Sequence, residues 1–280
     1  MSTEHFQKAL ELARKNRVLP EKVHSLTPQT GRLRSSTNQD AGHDSLQIRY
    51  SRTKVQPVTL DTLRENRIIA AFPDDPHSAP FRILRTQVLH ELETHNWNTL
   101  GITAPHSGAG KSFVAVNLAI SLSLITSQTV LLVDLDMRKP SIHEYFCLDI
   151  EIGITDYLVD DKPLEDILIN PGFERLVILP GTKSTNESSE LLASRKCKHL
   201  MNELKSRYES RIVIYDLPPL LGMDDALVAV PRLDTTILVV EANKTTSADL
   251  LKSNKLLEDY PILGTVFNKA DDNEITQYGY

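Results

Sequence analysis

The stretch Thr103-Ala-Pro-His-Ser-Gly-Ala-Gly-Lys-Ser-Phe113 carries the residue types that hold phosphate. Gly108 and Gly110 allow a turn tight enough for the backbone N–H groups of Ser107, Gly108, Ala109, Gly110, Lys111, Ser112 and Phe113 to converge on one anion. Lys111 is spaced to bridge the β- and γ-phosphates of a nucleoside triphosphate, and the Ser112 hydroxyl to ligate Mg²⁺. The strict form of this loop has a glycine six residues before the lysine, where Pro105 stands, so the motif is a variant.

Two further stretches supply carboxylates. In Val130-Leu-Leu-Val-Asp-Leu-Asp-Met-Arg-Lys-Pro140, Asp134 and Asp136 alternate on an extended chain, which sends both carboxylates off the same face of a strand end. Arg138 follows, able to steady phosphates or to pair with Asp136. In Arg211-Ile-Val-Ile-Tyr-Asp-Leu-Pro-Pro219 an apolar strand ends in Asp216, the form of a metal-holding carboxylate. Pro218 and Pro219 then stop the strand.

These groups need elements to position them. Short apolar, β-branched runs at 99–104, 130–134, 176–179, 212–216, 236–240 and 263–267 predict strands buried on both faces. Helical patterns at 112–123, 188–207 and 247–258 lie between them. The expected fold is α/β, a doubly wound, mostly parallel sheet with its ligand off the carboxyl ends of the strands. The globular domain is expected over 59–270. Residues 1–58 read as a basic arm with a short helix at 4–16, and 271–280 as a flexible acidic tail.

With 280 residues, 40% of them hydrophobic, the chain can bury a large core. The net charge of −6 is uneven: residues 1–60 hold ten Lys and Arg against five Asp and Glu, and the remainder 21 against 32. An acidic body argues against nucleic-acid binding and leaves the basic arm for a membrane face or an acidic partner. Cys147 and Cys197 make no disulfide framework, both are expected to be buried, and a reducing cytoplasm follows. The most apolar stretch, 114–132, is interrupted by polar residues and does not span a bilayer.

From Gly101 to Asn268 the chain resembles the bacterial tyrosine kinases of the polysaccharide co-polymerase class, within the deviant Walker P-loop ATPases that include partition and division-site ATPases. The resemblance rests on the phosphate loop, on Asp134-x-Asp136-x-Arg138-x-Pro140-x-x-His143-x-x-Phe146, on Gly153-Ile-Thr-Asp-Tyr-Leu158, on Ser189-Glu-Leu-Leu-Ala-Ser194 and on Asp216-Leu-Pro-Pro219. It implies an ATP- and Mg²⁺-dependent tyrosine autokinase controlling exopolysaccharide or capsule synthesis. Lys111, Asp134, Asp136 and Asp216 would be catalytic, Asp134 taking the tyrosine proton. Ser112, Asp134 and Asp216 would lie at the metal, and Asn268 on the adenine side.

It further implies phosphate acceptance by Tyr278 and Tyr280 in trans, self-association, a membrane co-polymerase as activator, a cognate tyrosine phosphatase and a cytoplasmic location at the inner membrane face. Two positions depart from the family. Its ring-forming Glu-x-x-Arg-x-x-Arg helix has Arg82 and Arg85 here but Ala79 at the Glu, and its tyrosine cluster is reduced to two. The rival reading, a partition-type switch ATPase without kinase activity, expects a second lysine early in the loop, where His106 stands.

Overall fold

The computed structural model describes residues 53–125, 128–206 and 210–270. Eight strands form one sheet: β1 (Lys54–Val55), β2 (Thr99–Thr103), β3 (Thr129–Asp134), β4 (Ile169–Asn170), β5 (Leu176–Leu179), β6 (Arg211–Asp216), β7 (Thr235–Glu241) and β8 (Ile262–Asn268). Their order is β1-β4-β5-β3-β6-β2-β7-β8, and every pairing is parallel except β4 with β5. The six strands expected from apolar runs all form, with ends shifted by a residue at most.

Alternation explains the burial of both faces. Leu100, Ile102, Val130, Leu132, Ile212 and Ile214 face one hydrophobic cluster, and Leu131, Val133, Val213, Tyr215, Leu238 and Val240 face the other. Each interior strand is therefore covered by helices. The first cluster is filled by α1 (Leu60–Glu65), α2 (Ala79–His95) and α3 (Lys111–Ser123), and α3 is buried at every position except Phe113. Short helices α4 (Ile142–Tyr145), α5 (Ile154–Asp160), α6 (Leu164–Ile167) and α7 (Ser188–Ala193) follow β3 and β5, with α8 (Arg195–Ser206), α9 (Asp225–Ala229) and α10 (Ser247–Leu256) on the later crossovers.

Three expectations change. The sheet starts before residue 59, since Lys54–Val55 already pairs with Ile169–Asn170; the helix at 4–16 and the acidic tail lie outside the described residues. The helix expected over 188–207 is two, because Ser194 is extended (φ −59°, ψ 152°) and its hydroxyl accepts the Cys197 N–H to start α8. Cys197 is buried in the second cluster, which pushes its thiol up to about 11, whereas Cys147 is exposed. No helix among the described residues is long and apolar enough to cross a membrane.

The start of β2 is tied down by one carboxylate. Asp234 Oδ2 accepts the N–H groups of Asn98 (3.0 Å) and Thr99 (3.0 Å) and the Thr99 hydroxyl (2.8 Å), and Lys205 pairs with Oδ1. Burial alone would raise this acid, but those donors overrule it and hold it below the usual carboxylate range. A depressed folded pKa means that the ionised form stabilises the fold: the contribution is complete above the unfolded value, about 4, and is lost as pH falls through the folded one. Asp234→Ala is expected to cost about 3 kcal/mol in urea unfolding at pH 7. Its difference from the parent should shrink as the pH is taken below 4; a difference that holds constant with pH would assign the loss to packing.

Candidate active site

β2 ends at Thr103 and the chain turns through Gly108 (φ +85°) and Gly110 (φ +95°) into α3, so the phosphate-loop geometry is that of a strand, a tight turn and a helix N-terminus. Ser107 and Gly108 lie exposed at the tip, and Ala109 and Ser112 are buried. Phe113 turns away from the loop and packs edge-to-face on Phe81 of α2, ring centroids 5.6 Å apart.

The carboxylates stand on the strands next to this loop. β3 and β6 are in register with Asp134 opposite Asp216, so parallel pairing alone brings two acids from distant stretches to one place. Lys111 Nζ lies 2.6 Å from Asp136 Oδ2 and 3.7 Å from Asp216 Oδ1, all three side chains being nearly inaccessible. Burial would lower the lysine pKa, but the charges of Asp216 and Asp136 outweigh it and hold the ammonium well above its ordinary range.

The three acids are not equivalent. Asp134 is wholly buried; its Oδ2 accepts the N–H groups of Ser141 (2.9 Å) and Ile142 (3.0 Å), and Oδ1 that of Asp136 (3.2 Å). Burial and the neighbouring Asp216 push it up to about 8, against the pull of those amides. Asp136 sits beyond the end of β3, in a turn closed by the Lys139 N–H on its Oδ1 (3.1 Å). It thus faces Lys111 while Asp134 faces the backbone of 141–142, rather than both leaving one strand face.

Asp216 is also wholly buried and raised, first by burial and then by Asp136, with Lys111 and the Ser112 hydroxyl opposing, and neither of its oxygens has a donor in good hydrogen-bond geometry. Two carboxylate oxygens without hydrogen bonds, near the Ser112 hydroxyl and with Lys111 only at 3.7 Å, fit a cation, because a buried carboxylate so weakly satisfied is costly. Among the described residues no three or more His, Cys, Asp or Glu form a metal cluster.

Arg138 does not pair with Asp136. Its Nε lies 3.1 Å from both oxygens of Asp225, a fully buried acid at the start of α9. Asn268, at the end of β8, donates from Nδ2 to the Ala109 carbonyl (2.8 Å), and Lys269 from Nζ to the Gly108 carbonyl (2.7 Å). A Cβ on Gly110 would lie 2.1 Å from Asn268 Nδ2, so the contact requires glycine there. His106 is 3.3 Å from Asp249, which closes the capping box at the N-terminus of α10. Arg82 and Arg85 are both engaged within the chain, Arg82 with the Pro73 carbonyl (2.8 Å) and Arg85 with that of Ser121 (3.2 Å).

Sequence reasoning missed Ser141, whose hydroxyl donates to that of Ser112 at 3.0 Å, together with Asp225 and Lys269. The last was within reach, since it follows the expected strand directly. Tyr278 and Tyr280 lie outside the described residues.

Comparison with known proteins places this geometry. The model of the AAA domain family matches residues 98–260. The chain is 32% identical over 210 residues to EpsB of Ralstonia nicotianae, covering 74% of this chain but 27% of that protein. It is 29% identical over 220 residues to the tyrosine-protein kinase YwqD of Bacillus subtilis, covering 78% of this chain and 92% of the relative.

Among solved structures, the chimerical protein CapA2B2 superposes with a TM-score of 0.68 at 28% identity, over 78% of this chain and 94% of its own. The kinase domain of the Escherichia coli tyrosine kinase ETK superposes with 0.65 at 25% identity, over 81% and 93%. The septum site-determining protein MinD of Pyrococcus horikoshii, solved with Mg-ADP, gives 0.53 at 26%, over 61% and 69%. The P-loop fold expected from the sequence is the fold found.

Proposed function

We propose that this chain, which belongs to the AAA domain family and to the bacterial tyrosine-protein kinases within it, transfers the γ-phosphoryl group of ATP to tyrosine. The observation that carries the reading is the buried Asp216 carboxylate, which has no hydrogen bond, stands in register with Asp134 and lies 3.7 Å from Lys111. Mg²⁺ held there by Ser112 and Asp216 would neutralise charge on the phosphates.

The chain's own groups do the rest. Loop N–H groups fix the phosphates, and Lys111 leaves Asp136 for the β- and γ-phosphates as they enter. Asp134 in its ionised form has one lone pair left after its three backbone donors and takes the proton of the attacking phenol, its ionisation favoured by the cations that enter with the nucleotide. Because Asp134 is wholly buried, the acceptor meets it only after the segments over it rearrange. Asp225 holds Arg138 beside the turn at 139–141.

The acceptors proposed are Tyr278 and Tyr280, phosphorylated in trans by a neighbouring copy. The proposed setting is the one the family resemblance implies: control of exopolysaccharide or capsule synthesis at the inner membrane face, an activating segment of a membrane co-polymerase, and reversal by a tyrosine phosphatase. The test is incubation with MgATP and an activating segment, followed by phosphotyrosine mapping. Phosphate is expected on Tyr278 or Tyr280 and should disappear when both are replaced by Phe. ADP release with no phosphotyrosine would replace the kinase by a switch ATPase.

A further inference from the structure

Gly153, which opens the motif Gly153-Ile-Thr-Asp-Tyr-Leu158 and caps α5, lies against the segment that leaves β5. A Cβ on it would stand 2.7 Å from the Pro180 carbonyl oxygen and 2.9 Å from the Thr182 nitrogen. The Ile154 N–H donates to that same carbonyl (2.8 Å). Asp156 completes the fastening: its Oδ2 accepts the Gly153 N–H (2.8 Å), and Lys183 Nζ lies 2.7 Å from its Oδ1. Residues 180–183 are thus pinned to α5 at both ends, and just beyond them the Thr185 N–H donates to the Met137 carbonyl (2.9 Å).

The other side of this pinned segment rests on the site. Gly181 is buried, and a Cβ on it would lie 2.6 Å from Pro140 Cβ, 3.4 Å from Asp134 Cγ and 3.6 Å from Asp134 Oδ2. Its backbone is outside the left-handed region, so lack of space and not backbone freedom calls for glycine. Pro140 cannot turn a side chain aside, because its Cβ belongs to a ring closed on the backbone. The two residues that follow it, Ser141 and Ile142, are the ones whose N–H groups hold Asp134 Oδ2.

The contacts run in one line, from α5 through the 180–183 segment and Pro140 to Asp134. A side chain at 181 has to displace a neighbour by about 1 Å to reach ordinary van der Waals separation. The segment behind it is pinned, so the turn in front gives, and the Ser141 and Ile142 amides leave Asp134 with it. We propose that Gly181 is a positioning residue for phosphoryl transfer: it sets the height of the Pro140 turn and, through that turn, the orientation of the Asp134 carboxylate, with Gly153 and Asp156 fixing the segment that carries it. The proposal rests on the role given to Asp134 above and adds what aims it.

The test compares Gly181→Ala with the parent, as full chains with MgATP, per nucleotide site counted with a fluorescent ATP analogue. The kcat for phosphotyrosine formation is expected to fall about ten- to a hundredfold, the scale of a misplacement of about 1 Å, while the KM for ATP stays within about twofold. Amide exchange without nucleotide should quicken at least about tenfold at Ser141 and Ile142, with β3 and β6 unchanged. Pro140→Gly removes the atom that the new methyl group meets, so Gly181→Ala/Pro140→Gly should transfer faster than Gly181→Ala alone, although Pro140→Gly by itself slows the parent. Unchanged kcat, unchanged exchange at 141–142, or a double variant no faster than the single one overturns the assignment. If Gly181→Ala does not fold, the double variant decides: its folding supports the assignment, and its failure to fold overturns it. The kinase reading fails separately. A parent that releases ADP without phosphotyrosine refutes the kinase, while the exchange comparison, which needs no activity, still decides where Gly181 acts.

Discussion

Lys111→Met is expected to cut phosphotyrosine formation to about one part in a thousand of the parent, on the scale found when a preorganised charge is removed from a phosphoryl-transfer site. Methionine keeps the length and apolar stem of the side chain, so the variant removes charge with little change in volume. The effect is large because this ammonium is nearly inaccessible and is the group that opposes three carboxylates, at 2.6 Å from Asp136 and 3.7 Å from Asp216. Without it the entering triphosphate meets unopposed negative charge, and the acids take up protons in the empty protein. Quantified phosphotyrosine per chain over time, with thermal melting as a check on folding, measures this; a loss of less than tenfold in a folded variant would remove Lys111 from the phosphate-handling role.

Asp216→Asn is expected to inactivate the enzyme and to stabilise the ligand-free fold. The carboxylate is wholly buried, neither oxygen receives a hydrogen bond, and burial holds its pKa above the ordinary range. For an acid raised on folding, ionisation is harder in the native state. The cost begins above the unfolded value, about 4, and grows until the pH reaches the folded value, so at pH 7 the native protein carries much of it. Removing the charge relieves that cost while Lys111 keeps Asp136. The gain is about 1–2 kcal/mol, or a melting temperature higher by roughly 2–6 °C in a domain of this size. Melts without Mg²⁺ at pH 7 and near pH 4 check the sign: the gain should be present at the first and diminished at the second. A variant less stable than the parent at pH 7 would show that Asp216 is satisfied in the ligand-free protein, against its orphaned oxygens.

How much of this was legible depended on whether a feature was local. The interior strands announce themselves because parallel strands covered on both faces must be apolar almost throughout, as Val130–Val133 and Ile212–Tyr215 are. β1 and β4 are two residues each and carry no period, so only the finished sheet reveals them. Ser194 sits in a helical pattern and breaks it with one hydroxyl, a choice that propensity alone does not force.

The same division runs through the site. Lys111, Ser112 and Asp216 were readable from loop and strand-end patterns. The partner of Arg138 was not: Asp136 is two residues away and Asp225 is 87, and nothing in either stretch ranks the distant acid above the near one. Nor does the spacing of Asp134 and Asp136 reveal that β3 ends between them, which turns one carboxylate toward backbone amides and the other toward Lys111.

Gly110 and Asn268 meet so closely that they form a single unit written in two places. The amide nitrogen occupies the space where any larger residue at 110 would put its Cβ, and it also holds the neighbouring Ala109 carbonyl. Substitutions at these two positions therefore should not combine independently. Alanine at 110 meets a clash while Asn268 is present, and a shorter residue at 268 makes room at the cost of freeing the loop. For anyone diversifying this scaffold, the end of the last strand belongs in the same codon set as the phosphate loop, although most of the domain separates them in the gene.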